Sequence, residues 1–192
     1  MKKLISVTTI LAALAGTASA APYVLPSEQT GALTANDVQP VYSLDAVIAL
    51  GDGSDSVDMY GPRLAFNLFN EHNDTFTHNF NLSVSGLWGS EDVWGADMDV
   101  FMLPLTIGYD LNISVTDELD FYLGAKAGYA WTHFKWAGIS DTDGGFTWGV
   151  GAGFRYYFSE SLYGRLGYEF SRTYADAPFG QHSILIGVGC RF

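Results

Sequence analysis

Four histidines and a surplus of carboxylates are the side chains in this chain with chemistry to offer. A histidine can act as general base for a serine when the two side chains touch. The stretch His182-Ser183 sets that pair side by side. The surrounding run alternates, and neighbours in a strand point to opposite faces. The two therefore cannot make a nucleophile–base contact, and His72, His78 and His133 have no serine partner in an evident motif. No catalytic residue is assigned. The carboxylates gather in short polar stretches: Asp52, Asp55 and Asp58; Glu91, Asp92 and Asp97; Asp141 and Asp143; Asp176. Hard divalent cations favour such clusters. "DGSDSVD", however, lacks the full calcium-loop pattern, and a solvated, repulsive surface accounts for the rest. No metal and no cofactor is expected.

The elements that would carry these residues follow from the rest of the chain. "MKKLISVTTILAALAGTASA" has two lysines, a short apolar run and a small-x-small exit. That is the pattern of a secretory signal peptide, residues 1–20. Its apolar run is too short for a membrane-spanning helix. Cleavage after Ala20 leaves roughly 170 residues, enough for one domain. Residues 21–40 carry three prolines and no period, and read as an N-terminal arm on the periplasmic side. The formal charge of −12 becomes more negative once the leader lysines go, which excludes nucleic-acid binding by charge. The single cysteine, Cys190, cannot form an internal disulfide and reads as a small apolar strand residue.

Aromatic residues make up 15% of the chain and glycine supplies 22 residues, yet no later segment is apolar for 18 positions. Apolar residues alternate instead, which is the strand period. Eight such runs lie between Val41 and Phe192: "VYSLDAVIAL", "MYGPRLAFNLF", "HNFNLSVSGLW", "VFMLPLTIGYDLNI", "LDFYLGAKAGYAW", "GFTWGVGAGFRYYF", "LYGRLGYEFSRTY" and "HSILIGVGCRF". Each is about ten residues, the length of a tilted strand crossing a bilayer. "SVTDE" and "SES" are short connections. "GSEDVWGAD", "THFKWAGISDTDG" and "ADAPFGQ" read as longer loops at the opposite end. "GDGSDSVD" and "NEHNDT" do not follow this alternation, being of similar length.

One face of the runs carries Phe, Tyr, Trp, Leu and Ile. The other carries glycine, small polar residues and charges, among them Asp45, Arg63, Lys126, Arg155, Arg165, Glu169 and Arg191. A soluble eight-stranded barrel would turn its large apolar residues inward. Rings on nearly every strand would overfill that interior, whereas glycine and pairable charges of both signs fit it. The expected fold is all-β: an eight-stranded antiparallel up-and-down transmembrane β-barrel over residues 41–192. Its interior charges form a salt-bridged plug. Tyr42, Tyr60, Trp88, Tyr109, Trp131, Trp148 and Tyr168 fit an aromatic girdle at the two membrane interfaces.

"LDFYLGAKAGYAW", "GVGAGFRYYFSESLYGRLGYEF" and the terminal "GVGCRF" together resemble the small outer-membrane β-barrel proteins of Gram-negative bacteria, of the OmpA-barrel, OmpX and opacity types. The chain stops at the last strand, so the periplasmic, peptidoglycan-binding domain of the OmpA type is not implied. The resemblance implies that Ile186, Val188, Cys190 and Phe192 form the recognition signal for the barrel-assembly machinery. It implies residence in the outer membrane against lipid and lipopolysaccharide, a monomeric barrel, and a structural or adhesive role through acidic loops facing a host or cell-surface ligand. Some barrels of this kind modify lipid A. Here the His182–Ser183 geometry fails, and His72 and His78 flank a turn at the wrong leaflet. A narrow passive pore and a secreted lipocalin-like ligand carrier compete with the adhesive role.

The barrel fold makes a simple prediction. The detergent-solubilised protein migrates differently on a gel before and after boiling and has a β-rich circular dichroism spectrum. Solubility without detergent and an unchanged mobility would instead mean that the aromatic face points inward.

Overall fold

The computed structural model describes residues 41–52, 57–73, 76–93, 96–159, 161–176 and 178–191. The leader, the N-terminal arm and Phe192 lie outside the described residues. Nine strands follow in chain order: β1 Val41–Asp52, β2 Met59–Asn73, β3 Phe76–Ser85, β4 Leu87–Val93, β5 Ala96–Ser114, β6 Leu119–Trp136, β7 Ile139–Ser159, β8 Leu162–Tyr174 and β9 Phe179–Arg191. All pairings are antiparallel, and β1 pairs with both β2 and β9, so the sheet closes on itself.

The wall has eight staves, not nine. β3 and β4 both lie between β2 and β5. Gly86 separates them, its N–H donating to the Pro62 carbonyl at 3.0 Å. Proline has no N–H to offer in return, which locally breaks the ladder. Ser83, Ser85 and Leu87 are all buried, so the in–out alternation runs through the break unchanged. A second irregularity, a bulge at Leu68, shifts the β2–β3 register between Asn67 and Phe69.

Three stretches read from sequence as turn or loop are largely strand instead, and the ends of others join the strands beside them. Residues 70–73 extend β2, residues 89–93 and 96–97 extend β4 and β5, and residues 132–136 and 139–144 extend β6 and β7. The β6–β7 connection is two residues, Ala137 and Gly138, both with positive φ (48° and 83°). That matches the twist of a tight hairpin. Polar composition hid the strand period of Thr132, Phe134 and Trp136 against His133 and Lys135. β7 has 21 residues, about twice what a crossing strand requires. The β4–β5 and β6–β7 hairpins mark one end of the barrel, and the β2–β3 hairpin with the short connections at 115–118 and 160–161 marks the other.

The lumen has two storeys. Toward the hairpin end it is apolar, with Val47, Ala49, Met59, Leu87, Val100, Met102, Ala130 and Leu185 buried together. Toward the turn end it is polar and charged. The wall makes room for that storey with glycine. A Cβ at Gly167 would collide with the Tyr122 hydroxyl, one at Gly187 with the Asp45 carboxylate, and one at Gly189 with the Tyr163 ring. Large interior side chains on one stave thus lie across bare backbone on another.

The opposite faces of the same strands are exposed and apolar all round: Tyr42, Ile48, Leu64, Leu82, Leu105, Ile107, Leu123, Val150, Phe154, Leu166 and Ile186 among them. Such a continuous band far exceeds the apolar patches that soluble monomers expose. Gly167→Val overfills the ionic storey at Tyr122, and the folded barrel is expected to lose about 1–3 kcal/mol or more. Ala127→Val on the outer face is expected to stay within ~0.5 kcal/mol. Urea titration of the barrel in detergent, read by gel mobility, compares the two.

Candidate functional site

β1 places Asp45 inward, where it is 1% exposed. Directly opposite on β2 stands Arg63. The Arg63 guanidinium donates from Nε and Nη2 to Asp45 Oδ2 at 3.0 and 2.8 Å, and from Nη1 to Glu169 Oε2 at 3.0 Å. Glu169, on β8, takes Lys126 Nζ on its other oxygen at 2.6 Å. Arg165 Nη1 reaches Asp45 Oδ2 at 3.5 Å, and its Nε donates to the Tyr122 hydroxyl at 3.0 Å. Arg155 Nη2 pairs with Asp110 Oδ2 at 2.7 Å. Six of the seven charges read as interior from sequence therefore meet in one lattice drawn from five staves. Arg191 belongs to β9, but its side chain lies outside the described residues.

Two members escaped the sequence reading. Asp110 and Tyr122 both occupy inward positions of their alternating runs, so strand parity was the available signal. Tyr122 is 2% exposed and carries Arg165 over its ring at 4.4 Å and Arg155 at 5.0 Å. Near the turn end, the Tyr157 hydroxyl donates to Asp120 at 2.8 Å. The larger described lumen cavity is about 40 Å³ and lies within the ionic storey; a second of about 20 Å³ lies beside it. These volumes hold a few water-sized particles.

The seven residues expected to form a girdle all sit at outward positions of their strands. Tyr42, Tyr60, Trp88, Trp131 and Tyr168 are exposed, whereas Tyr109 and Trp148 are half-buried. Several touch a second ring: Tyr42 with Phe66 at 5.0 Å, Trp88 with Phe101 at 5.4 Å, Tyr129 with Trp131 at 5.0 Å. Ile184, Ile186, Val188 and Cys190 lie outward on β9 and Leu185 inward.

The three histidines whose side chains are described have no serine partner. His182 faces outward and meets the Tyr168 hydroxyl through Nδ1, while Ser183 is buried in the lumen. His78 Nδ1 meets the Tyr109 hydroxyl at 2.6 Å, and His133 Nδ1 the Thr142 hydroxyl at 2.8 Å. The side chain of His72 lies outside the described residues. Among the described residues no group of three or more His, Cys, Asp or Glu is placed to hold a metal ion.

The hairpin end is acidic. Asp52, Asp58, Glu91, Asp92, Asp97, Asp99, Asp141 and Asp176 are exposed there; Asp55 lies outside the described residues. Asp141 and Asp143 also have a structural task. Their carboxylates accept from the Thr142 and Gly144 N–H groups at 2.8 and 2.6 Å. β8 meets β7 only from Phe146 onward, so those groups face an edge that no described strand covers.

A family model described as the outer membrane protein beta-barrel domain matches residues 8–192. A search of curated proteins finds no match. Among solved structures, Neisserial surface protein A superposes with a TM-score of 0.65 at 14% identity, over 80% of this chain and 97% of that one. Ail, the attachment invasion locus protein of Yersinia pestis, gives 0.56 at 16% over 80% and 97%. Its complex with the heparin analogue sucrose octasulfate gives 0.54 at 18% over the same shares. The outer membrane enzyme PagL gives 0.54 at 12%, over 74% and 97%. At these identities the likeness is one of fold.

The lattice predicts an asymmetric response to substitution. Arg63→Met leaves Asp45 with only the longer contact from Arg165 and Glu169 with Lys126 alone, and the expected loss is about 3 kcal/mol. Lys135→Met, on the exposed hairpin, is expected to stay within ~0.5 kcal/mol. Denaturant midpoints of the two variants in the same detergent check this.

Proposed function

The chain belongs to the family of outer membrane β-barrel domains, and from that premise we propose that it is a non-enzymatic surface barrel whose acidic hairpins engage a cationic partner outside the cell. The observation that carries this reading is the unequal sorting of charge. Four of the basic side chains are consumed in the lumen lattice, while the hairpin end keeps eight exposed carboxylates against Lys135 and Arg172 among the described residues. A strongly one-signed surface steers ligands of opposite sign and repels its own.

The leader at residues 1–20 exports the chain, and the outward apolar edge of β9, Ile186, Val188 and Cys190, together with Phe192, presents the signal read by the assembly machinery. The exposed apolar band then contacts lipid, with the girdle tyrosines and tryptophans at its two borders beside phospholipid and lipopolysaccharide. Closure leaves no open edge within the wall, which suits a monomer. Residues 21–40 remain on the periplasmic side. Ail is named for attachment and invasion, and that supports a surface-interaction role on this fold. Its sulfated ligand would be repelled by the present hairpins, so the partner differs in charge.

PagL shows that the fold also hosts enzymes. Against catalysis here, Ser183 is turned into the lumen away from His182, and the partners of His78, His133 and His182 are tyrosine and threonine hydroxyls. Against an open pore, both storeys of the lumen are filled.

In nanodiscs, the barrel is expected to bind a decalysine peptide and not sucrose octasulfate. Neutralising Glu91, Asp97, Asp99 and Asp141 to their amides should weaken decalysine binding by about tenfold or more, and 0.5 M salt should do the same by screening. Tighter binding of the polyanion, or unchanged affinity in the amide variant, would overturn the proposal.

A further inference from the structure

The ionic storey is not charge-balanced around its cavity. Four cations line it, Arg63, Lys126, Arg155 and Arg165, against two carboxylates, Asp110 and Glu169. Asp45, beside the cavity in the same lumen, shares one oxygen between Arg63 and Arg165 and brings the count to four cations against three carboxylates. Asp120, opposite Arg155 on β6, accepts from Tyr157 and does not line the cavity.

Within this excess, Arg155 and Arg165 are direct cross-strand partners. Like charges directly opposite each other destabilise a sheet. Here both guanidiniums also lie over the same Tyr122 ring. Arg155 spends Nη2 on Asp110, yet its Nε has no hydrogen-bond partner in the protein although the residue is only 6% exposed. A buried donor left unmade is costly, more so when charged. Water would satisfy the hydrogen bond but not the charge.

We propose that this cavity is a binding site for a small monovalent anion of chloride size, held between Arg155 and Arg165. The cavity of about 40 Å³ admits a few particles of water size, room for one small ion. The anion completes the lattice: it accepts from Arg155 Nε, separates two like charges and offsets the local positive excess. The inference concerns the lumen alone and does not depend on the partner of the hairpins.

Two measurements on the folded full chain in detergent test it. The first is anomalous diffraction from crystals grown with sodium bromide. The expected result is a bromide peak within hydrogen-bond distance of Arg155 Nε. The second compares unfolding in sodium chloride and in sodium gluconate at equal ionic strength, gluconate being too large to enter. Chloride at ten times its dissociation constant should raise the folded-to-unfolded ratio about elevenfold, and Arg155→Gln should abolish the difference. Should Arg155→Gln fail to fold, the comparison of chloride with gluconate on the unaltered protein stands in its place. A cavity holding water only, or equal stability in the two salts, overturns the proposal.

Discussion

The rest of the structure hangs on how little room an eight-stranded barrel leaves inside and on what is put there. Asp45 is the hub. One of its oxygens takes two hydrogen bonds from Arg63 and a longer one from Arg165, and Arg63 passes the connection to Glu169 and Lys126. Through this lattice β1, β2, β6 and β8 are tied across the lumen as well as along the wall. The same need for space dictates the glycines: bare backbone on β8 and β9 lets Tyr122, Tyr163 and Asp45 lie flat against it. Ions this deep do not stabilise for being paired; desolvating them costs several kcal/mol each, and only near-complete hydrogen bonding offsets that. Their more certain contribution is to specify one arrangement of the staves, since a slip by one residue would turn every one of them into lipid.

Above the lattice the lumen changes character. Val47, Met59, Leu87, Val100, Met102 and Leu185 pack as an ordinary hydrophobic core, although their strands expose equally apolar residues on the outer side. That core braces the long hairpins, which rise beyond the length a membrane requires. The barrel is therefore lined by two materials. The ionic storey lies toward the turn end, and the apolar storey sits beneath the acidic rim.

The in–out alternation made the fold legible in the sequence. Phe80, Leu82 and Val84 against Asn79, Asn81 and Ser83 leave only one assignment of faces, and the glycine-bearing face could only be the inside. Six of the lattice charges follow from the same parity. Their partners do not, because Arg155 reaches past Asp120, its neighbour in register, to Asp110 one stave further. Tilt and side-chain length decide that contact, and neither is written in strand spacing. The hairpins were missed because Asp141, Thr142 and Asp143 look like loop composition. Beyond the membrane, a strand with water on both faces has no hydrophobic pattern to betray it. The apolar storey was missed in turn because its residues share a face with the charges.

The seam between β1 and β9 runs from Val41 opposite Arg191 to Asp52 opposite Gly180. Its partners are the two extremes of the barrel sequence, so the contact that completes the fold is the one of greatest separation along the chain. Folding through such contacts is slow, because the chain must be closed before they reward it. No part of the wall is finished while the chain is still being delivered, because every stave but the last would leave an open edge. The half-made barrel has to be sheltered until its final residues arrive. The closing contact is thus written into the topology: β9 is made after the other eight strands, and the wall is complete only once it pairs with β1.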